Sequence, residues 1–119
     1  MNILSKLSII INEKEIINAN LDIANHPKTV NELLRAGKVK ALTIKRGSYY
    51  MFRIPVRVGA EKPESFFKEG DIAFDYMGGW LLIFIKNASY FGKANFIGKI
   101  ESKMPEIKPG TELILVFLA

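Results

Sequence analysis

The stretch "YFGKANFIGKI", Tyr90 to Ile100, carries two Gly-Lys pairs six positions apart. A phosphate loop needs four residues between its first glycine and the Gly-Lys, and then Ser or Thr for magnesium. Here five residues, Lys93 to Ile97, separate Gly92 from Gly98-Lys99, and Ile100 follows. No helical pattern follows either, so nucleotide binding is not expected at this motif. The second half, Phe96 to Glu101, reads as a strand. Gly92 is expected to permit a loop turn before it, and Gly98 a bend or close approach within it. Lys93 and Lys99 are expected to be solvated.

Outward from this stretch the chain is mostly short strands. Leu4 to Ile11 alternates and is rich in isoleucine. "NEKE" turns it, and Ile16 to Leu21 returns with Ile17, Ala19 and Leu21 on one face and Asn18 and Asn20 on the other. Val39 to Ile44, Tyr49 to Ile54, Asp71 to Tyr76, Trp80 to Ile85 and Glu112 to Leu118 complete eight strands with the two above and Phe96 to Glu101. "RGS" is a tight turn in which Gly47 can take positive φ. Tyr50, Phe52 and Ile54 point to the core, and Tyr49, Met51 and Arg53 share the opposite face. Trp80 to Ile85 is apolar throughout, which marks a strand buried on both faces. "HPKTVNELLRAG" changes period: Thr29 and Glu32 form a T-x-x-E capping box, Val30, Leu33 and Leu34 share a helical face, and Gly37 stops the helix. A second helical turn is expected at Glu64 to Lys68. Closely spaced short strands favour a barrel or sandwich.

The chain has 119 residues, which fits a single domain over 1–119. Its 49% hydrophobic and 24% charged residues exclude a disordered chain. With no cysteine, disulfides, thiolate metal sites and a cysteine nucleophile are excluded. The one histidine, His26, precedes Pro27 at a helix entry and reads as a surface or capping residue. No cofactor and no metal is expected. The apolar run Leu7 to Ile11 is too short for a secretion signal, and no stretch approaches the about 18 apolar residues of a membrane span. A cytoplasmic location without membrane association is therefore expected. Abundant isoleucine and lysine with no glutamine resemble a heat-adapted composition.

The net charge is +5, and it is unevenly placed. Between Glu32 and Glu61 lie Arg35, Lys38, Lys40, Lys45, Arg46, Arg53 and Arg57 with no acid. Such a block can track phosphates. Solvated residues on outer strand faces are the preferred reading, so nucleic acid is the less favoured partner.

Four motifs, in order, resemble the cyclophilins, the β-barrel prolyl isomerases. "PKTVNELLRAG" resembles their helix motif P-K-T-V-x-N-F-x-x-L. "MFRIP" resembles the F-H-R strand that carries their arginine, and "GDIAF" their G-x-(L/V)-(S/A)-M segment. The pattern W-L-D-G-K-H-V-V-F-G-K-V falls on Ser89 to Ile100 without a gap. The short chain looks most like the minimal bacterial and archaeal cyclophilin-like group, whose function is largely unassigned.

The resemblance implies a closed eight-stranded β-barrel with one or two short capping helices and an outer groove for a proline-containing peptide. In that family an arginine donates to the prolyl nitrogen and weakens the amide resonance that makes X-Pro exchange slow. Arg53 matches that arginine, and Phe84 matches a pocket phenylalanine where "LLIFIK" aligns with Q-F-F-I. Leu82 then stands in place of a glutamine, Ala94 of the histidine and Ser89 of the tryptophan. "IPVRVGA" does not reproduce the family's G-F-M-x-Q-G-G. The expected function is a peptide- or small-ligand-binding barrel with a degenerate isomerase site. Arg53 is its catalytic remnant, and Met51, Phe84, Tyr90 and Phe91 line its groove. The alternatives are a slow prolyl isomerase using Arg53, and nucleic-acid binding through Arg35 to Arg57. An oligomer interface through Phe66, Phe67 or Trp80 is a further possibility, and the sequence leaves the oligomeric state open.

Overall fold

Alternation along the first strands puts aliphatic side chains on one face, and that face builds the core. The computed structural model describes residues 5–119, so Leu4, the expected first residue of the first strand, lies outside the described residues. Strands β1 (Ser5–Ile11) and β2 (Lys14–Leu21) form a hairpin. Its turn residues Asn12 and Glu13 both have positive φ, the two-residue geometry whose twist matches that of the strands. Leu7, Ile9, Ile17, Ala19 and Leu21 are buried, and Asn18 and Asn20 are exposed.

The other elements are α1 (Pro27–Ala36), β3 (Lys38–Leu42), β4 (Ile44–Arg46), β5 (Tyr49–Arg53), β6 (Pro63–Phe67), β7 (Asp71–Asp75), β8 (Trp80–Phe84), β9 (Ala88–Ile100) and β10 (Glu112–Leu118). The fold is mainly β, one antiparallel sheet with a single helix among the described residues. Its strand order is β3-β10-β1-β2-β9-β7-β8-β5-β4, with β6 paired to β9. Among the described residues no further strand pairing closes that order. Its two ends, β3 and β4, are consecutive in the chain and joined by Thr43 alone. Thr43 breaks the expected Val39–Ile44 strand in two. Its N–H and hydroxyl both donate to Thr111 O, at 2.9 Å each.

Ten strands replace the expected eight because of that break and because of β6. The expected helical turn at Glu64 to Lys68 is instead a strand, paired with the first half of β9. No local signal could choose between them, since five residues form no stable helix alone. The choice falls to strand because Phe67 then reaches a buried apolar site. For the same reason β9 starts at Ala88 and not near Phe96. Its first half pairs with β6, and its second half with β7 and β2. Gly92 therefore lies within a strand and makes no turn. Gly98 is the close approach: a Cβ there would lie 2.2 Å from Asn20 O, so no side chain fits. Lys93 is exposed, and Lys99 is exposed but 3.7 Å from the Asp71 carboxylate.

Helix α1 buries Thr29, Val30 and Leu33. Gly37 ends it, with φ 68° and its N–H on Leu33 O at 3.2 Å. The expected capping box does not form. Pro27 starts the helix at its first position, which places Thr29 inside the first turn instead of before it. Glu32 turns to Arg35, at 3.6 Å. The cap comes from Glu61, in the loop between β5 and β6. Its carboxylate accepts from Lys28 N–H (2.9 Å), Thr29 N–H (2.9 Å) and the Thr29 hydroxyl (2.7 Å). This carboxylate meets the positive end of the helix dipole. Burial pushes the Glu61 carboxyl up, but the three hydrogen bonds and nearby His26 outweigh it and hold the group below its usual range.

A lowered folded value means that this stabilisation is complete above the unfolded carboxyl range, near pH ~4.3, and is lost as pH falls through the folded value. Glu61→Gln is therefore expected to cost about 1 kcal/mol near neutral pH, in the range of a lost helix cap. That difference should vanish in acid. Urea unfolding of both proteins from pH 7 to pH 3 checks this, and a difference constant with pH would contradict it.

The apolar interior has two parts. One, between the sheet's inner face and α1, holds Leu7, Ile9, Leu33, Phe52, Phe74 and Ile83. The other lies on the opposite face of β5, β8 and β7 and holds Met51, Phe67, Ala73, Leu82, Phe84, Tyr90 and Ala94. Both faces of β8 are thus covered, which explains its unbroken apolar run. Among the described residues no helix is long and apolar enough to cross a membrane.

Candidate functional site

Register brings the outward residues of three strands into rows. Arg53, Trp80 and Asp75 lie side by side on β5, β8 and β7. Met51, Leu82 and Ala73 form the next row, and Tyr49 pairs with Phe84 in the third. The face is polar at one end and apolar toward the other.

The apolar end is closed by the chain itself. Phe67 of β6 stacks on Phe84 with ring centroids 4.8 Å apart and planes at 22°. Tyr90, from the first half of β9, packs edge-on against Tyr49 at 5.5 Å. Leu82 and Phe84 are 0% exposed as a result. The Tyr90 hydroxyl donates to Asp75 Oδ2 at 2.5 Å. Burial, and then this bond to a carboxylate, push the Tyr90 phenol far above its usual range, so it remains a donor. The Tyr49 phenol is also raised, mainly by burial; Arg46 opposes the shift and Asp75 adds to it. Asp75 Oδ1 accepts from Met77 N–H (2.9 Å) and Gly78 N–H (3.1 Å), so this buried carboxylate receives three hydrogen bonds.

The polar end opens onto a cleft of about 1240 Å³ between the end of α1, the loop after β5 and the turn after β7. Arg35, Arg53 and Arg57 line it, with Glu32 as the one acid among the lining residues. The Arg53 guanidinium lies over the Trp80 ring, 5.4 Å from its centroid. Gly78 lies against the same indole. A Cβ there would come 2.6 Å from Trp80 Cδ1, so the missing side chain lets the indole lie against the turn. Gly79, with φ 75°, continues the turn beneath Arg53 Nε. The loop that carries Arg57 is tied down by fully buried Asn95. That side chain donates to Gly59 O (3.0 Å) and Thr29 Oγ1 (3.1 Å) and accepts from Glu61 N–H (2.8 Å).

A solved structure is similar in fold. It is the solution structure of a hypothetical protein from Archaeoglobus fulgidus. Its TM-score is 0.77 over 98% of this chain and 96% of that one, at 21% identity. That likeness is one of fold. No protein-family model matches the chain, and no curated protein matches it significantly.

Of the site residues read from the sequence, Met51, Phe84 and Tyr90 come together as one buried cluster, and Phe84 also lines a smaller cavity of about 330 Å³ with Glu69, Ile100 and Met104. Phe91 touches Tyr90, at 4.5 Å between ring centroids, and points away with 86% of its surface exposed. Arg53 is exposed at the cleft. Ala94 is fully buried, and Ser89 sits opposite Phe66 in the β6–β9 pair. Phe67, weighed as an interface residue, is buried inside the chain, whereas Phe66 is exposed. The basic block disperses over α1, β3, β4 and β5 and the following loop, and only Arg35, Arg53 and Arg57 converge. Sequence reasoning took Arg57 only as the end of the basic block and Trp80 only as an interface residue, and it placed neither Asp75 nor Gly78 in a groove. The available signal was "DIAFD", a charged residue closing an apolar strand, followed by two glycines and the chain's one tryptophan.

His26 is the N-cap residue of α1, without a side-chain cap bond, and it is buried rather than at the surface. Its ring is edge-on to Phe96 at 5.8 Å, its Nδ1 is 3.9 Å from the Asp22 carboxylate, and neither ring nitrogen has a hydrogen-bond partner among the described residues.

Proposed function

We propose that this chain is a cyclophilin-like barrel that binds a peptide or small ligand at the Arg53 cleft, and that its prolyl site is closed. The barrel reading draws support from Thr43. If β3 and β4 count as one bent strand, the strand order returns to its start after eight strands, and β6 remains as a cover on the outside. Covalent continuity then does at the seam what strand pairing does elsewhere.

The observation that carries the functional reading is the contrast along one face. The apolar side chains that would receive a prolyl ring lie under Phe67 and Tyr90, while Arg53 two residues from Met51 stays exposed. Arginine-assisted isomerisation needs both at once: a seat to hold the ring and a guanidinium at the prolyl nitrogen. Here the guanidinium stands over an indole beside an open polar cleft.

The test is exchange spectroscopy on a short Ala-Pro peptide with the protein present. Uncatalysed exchange takes about tens of seconds or longer at room temperature. The proposal expects that rate unchanged, together with shifts of the Trp80 indole resonance on peptide or ligand addition. Faster exchange that disappears in Arg53→Ala would instead establish a slow isomerase.

A further inference from the structure

The cleft has an electrostatic peculiarity. Three guanidinium groups face it, and the single carboxylate, Glu32, is engaged by Arg35. Neither Arg53 nor Arg57 enters an ion pair or a side-chain hydrogen bond among the described residues. Like charges held around one concavity repel each other and focus a positive potential there. They are not merely loose surface residues. Arg53 is laid on Trp80, which Gly78 admits, and the loop of Arg57 is fastened through Gly59 and Glu61 to Asn95.

We infer that this cleft takes a ligand with a doubly charged oxyacid end, one phosphate dianion or a pair of carboxylates, gripped by Arg53 and Arg57, with the body of the ligand against Tyr76 and Val58. The inference rests on the ligand-binding reading above and specifies its ligand. Guanidinium forks match the paired oxygens of phosphate and carboxylate groups, and two of them on different segments match a doubly charged group. The cleft volume, about 1240 Å³, exceeds what a bare oxyanion fills, so the charged group is one end of a larger molecule. Tyr76 and Val58 supply partly apolar walls for the rest.

Trp80 is the only tryptophan and lies under Arg53, so its fluorescence reads the site directly. The experiment titrates the protein with inorganic phosphate, with succinate and with a neutral Ala-Pro peptide, each at ionic strength held constant with sodium chloride. A saturable change with phosphate or succinate is expected, and the stronger of the two identifies the oxyacid. Arg57→Gln does not touch the indole, so the signal survives while the affinity falls about tenfold or more, as for a lost charged hydrogen bond. Lys40→Gln, at an exposed β3 position that is not among the cleft's lining residues, should bind as the parent does. Equal weakening in Lys40→Gln and Arg57→Gln would reduce the effect to general charge and overturn the inference. No saturable response to either anion also overturns it. If the neutral peptide then still responds, the ligand-binding reading stands without the anion; if it too is silent, both fall.

Discussion

Phe67→Ala is expected to lose about 3–5 kcal/mol of folding stability, the range for removing a fully buried aromatic ring. The ring is 1% exposed and stacks on Phe84 within the second apolar cluster, so its removal leaves a space there. A domain of this size holds about 5–15 kcal/mol in total, so the variant should remain mostly folded but close to its limit. The functional consequence is more informative than the loss itself. Without Phe67 the outer face of Phe84, Leu82 and Met51 loses part of its cover. On the proposed reading this reopens the apolar seat that the parent keeps shut. Denaturant unfolding measures the first effect. Methyl shifts of Met51 on addition of an Ala-Pro peptide measure the second. A loss below about 1 kcal/mol would mean that Phe67 is not packed as described. An unmoved Met51 methyl in a folded variant would mean that β6 does not guard a seat.

Asn95→Ala is expected to cost about 3 kcal/mol, since it strands several polar groups, each worth about 1–3 kcal/mol when unsatisfied and buried. Glu61 N–H and Gly59 C=O lose their partner, and Thr29 Oγ1 loses a donor. The loss should also spread. Glu61 caps α1, so freeing its backbone loosens the carboxylate that holds Lys28 and Thr29 N–H. Amide exchange at Lys28 and Thr29 should therefore accelerate together with that of Glu61, while the distant β1–β10 ladder exchanges at a rate set only by global stability. An effect confined to Glu61 would show that the cap does not depend on Asn95. The same loop carries Arg57, so this variant also tests whether the cleft needs its loop anchored.

Much of the strand framework is written in local pattern. Local pattern located β1, β2, β5, β7, β8 and β10, with alternation in the first hairpin and in β5 and an unbroken apolar run in β8, and the alternation assigned the faces of Tyr50, Phe52 and Met51 correctly, because burial on one face of a strand imposes a period of two. The close approach at Gly98 was readable too, since a glycine inside an apolar strand usually marks crowding. The helix start was misread. A T-x-x-E spacing is a local rule, whereas Pro27 and a carboxylate 32 residues away decided the outcome.

Composition and periodicity alone, then, determined a mainly β chain with a short helix after His26, a shared core face and no thiol chemistry. Only the tertiary structure decided what lies over the second face. Whether Phe84 and Met51 line a groove or fill a core depends on where Phe67 and Tyr90 land, and those positions follow from the pairing of β6 with β9. The same holds for the cleft. Arg53, Arg57 and Arg35 are ordinary exposed basic residues in the sequence, and they become one charged concavity only when β5, its following loop and the end of α1 converge. Side-chain periodicity is a property of a single strand, but a site is set by the register between strands, which no local stretch encodes by itself.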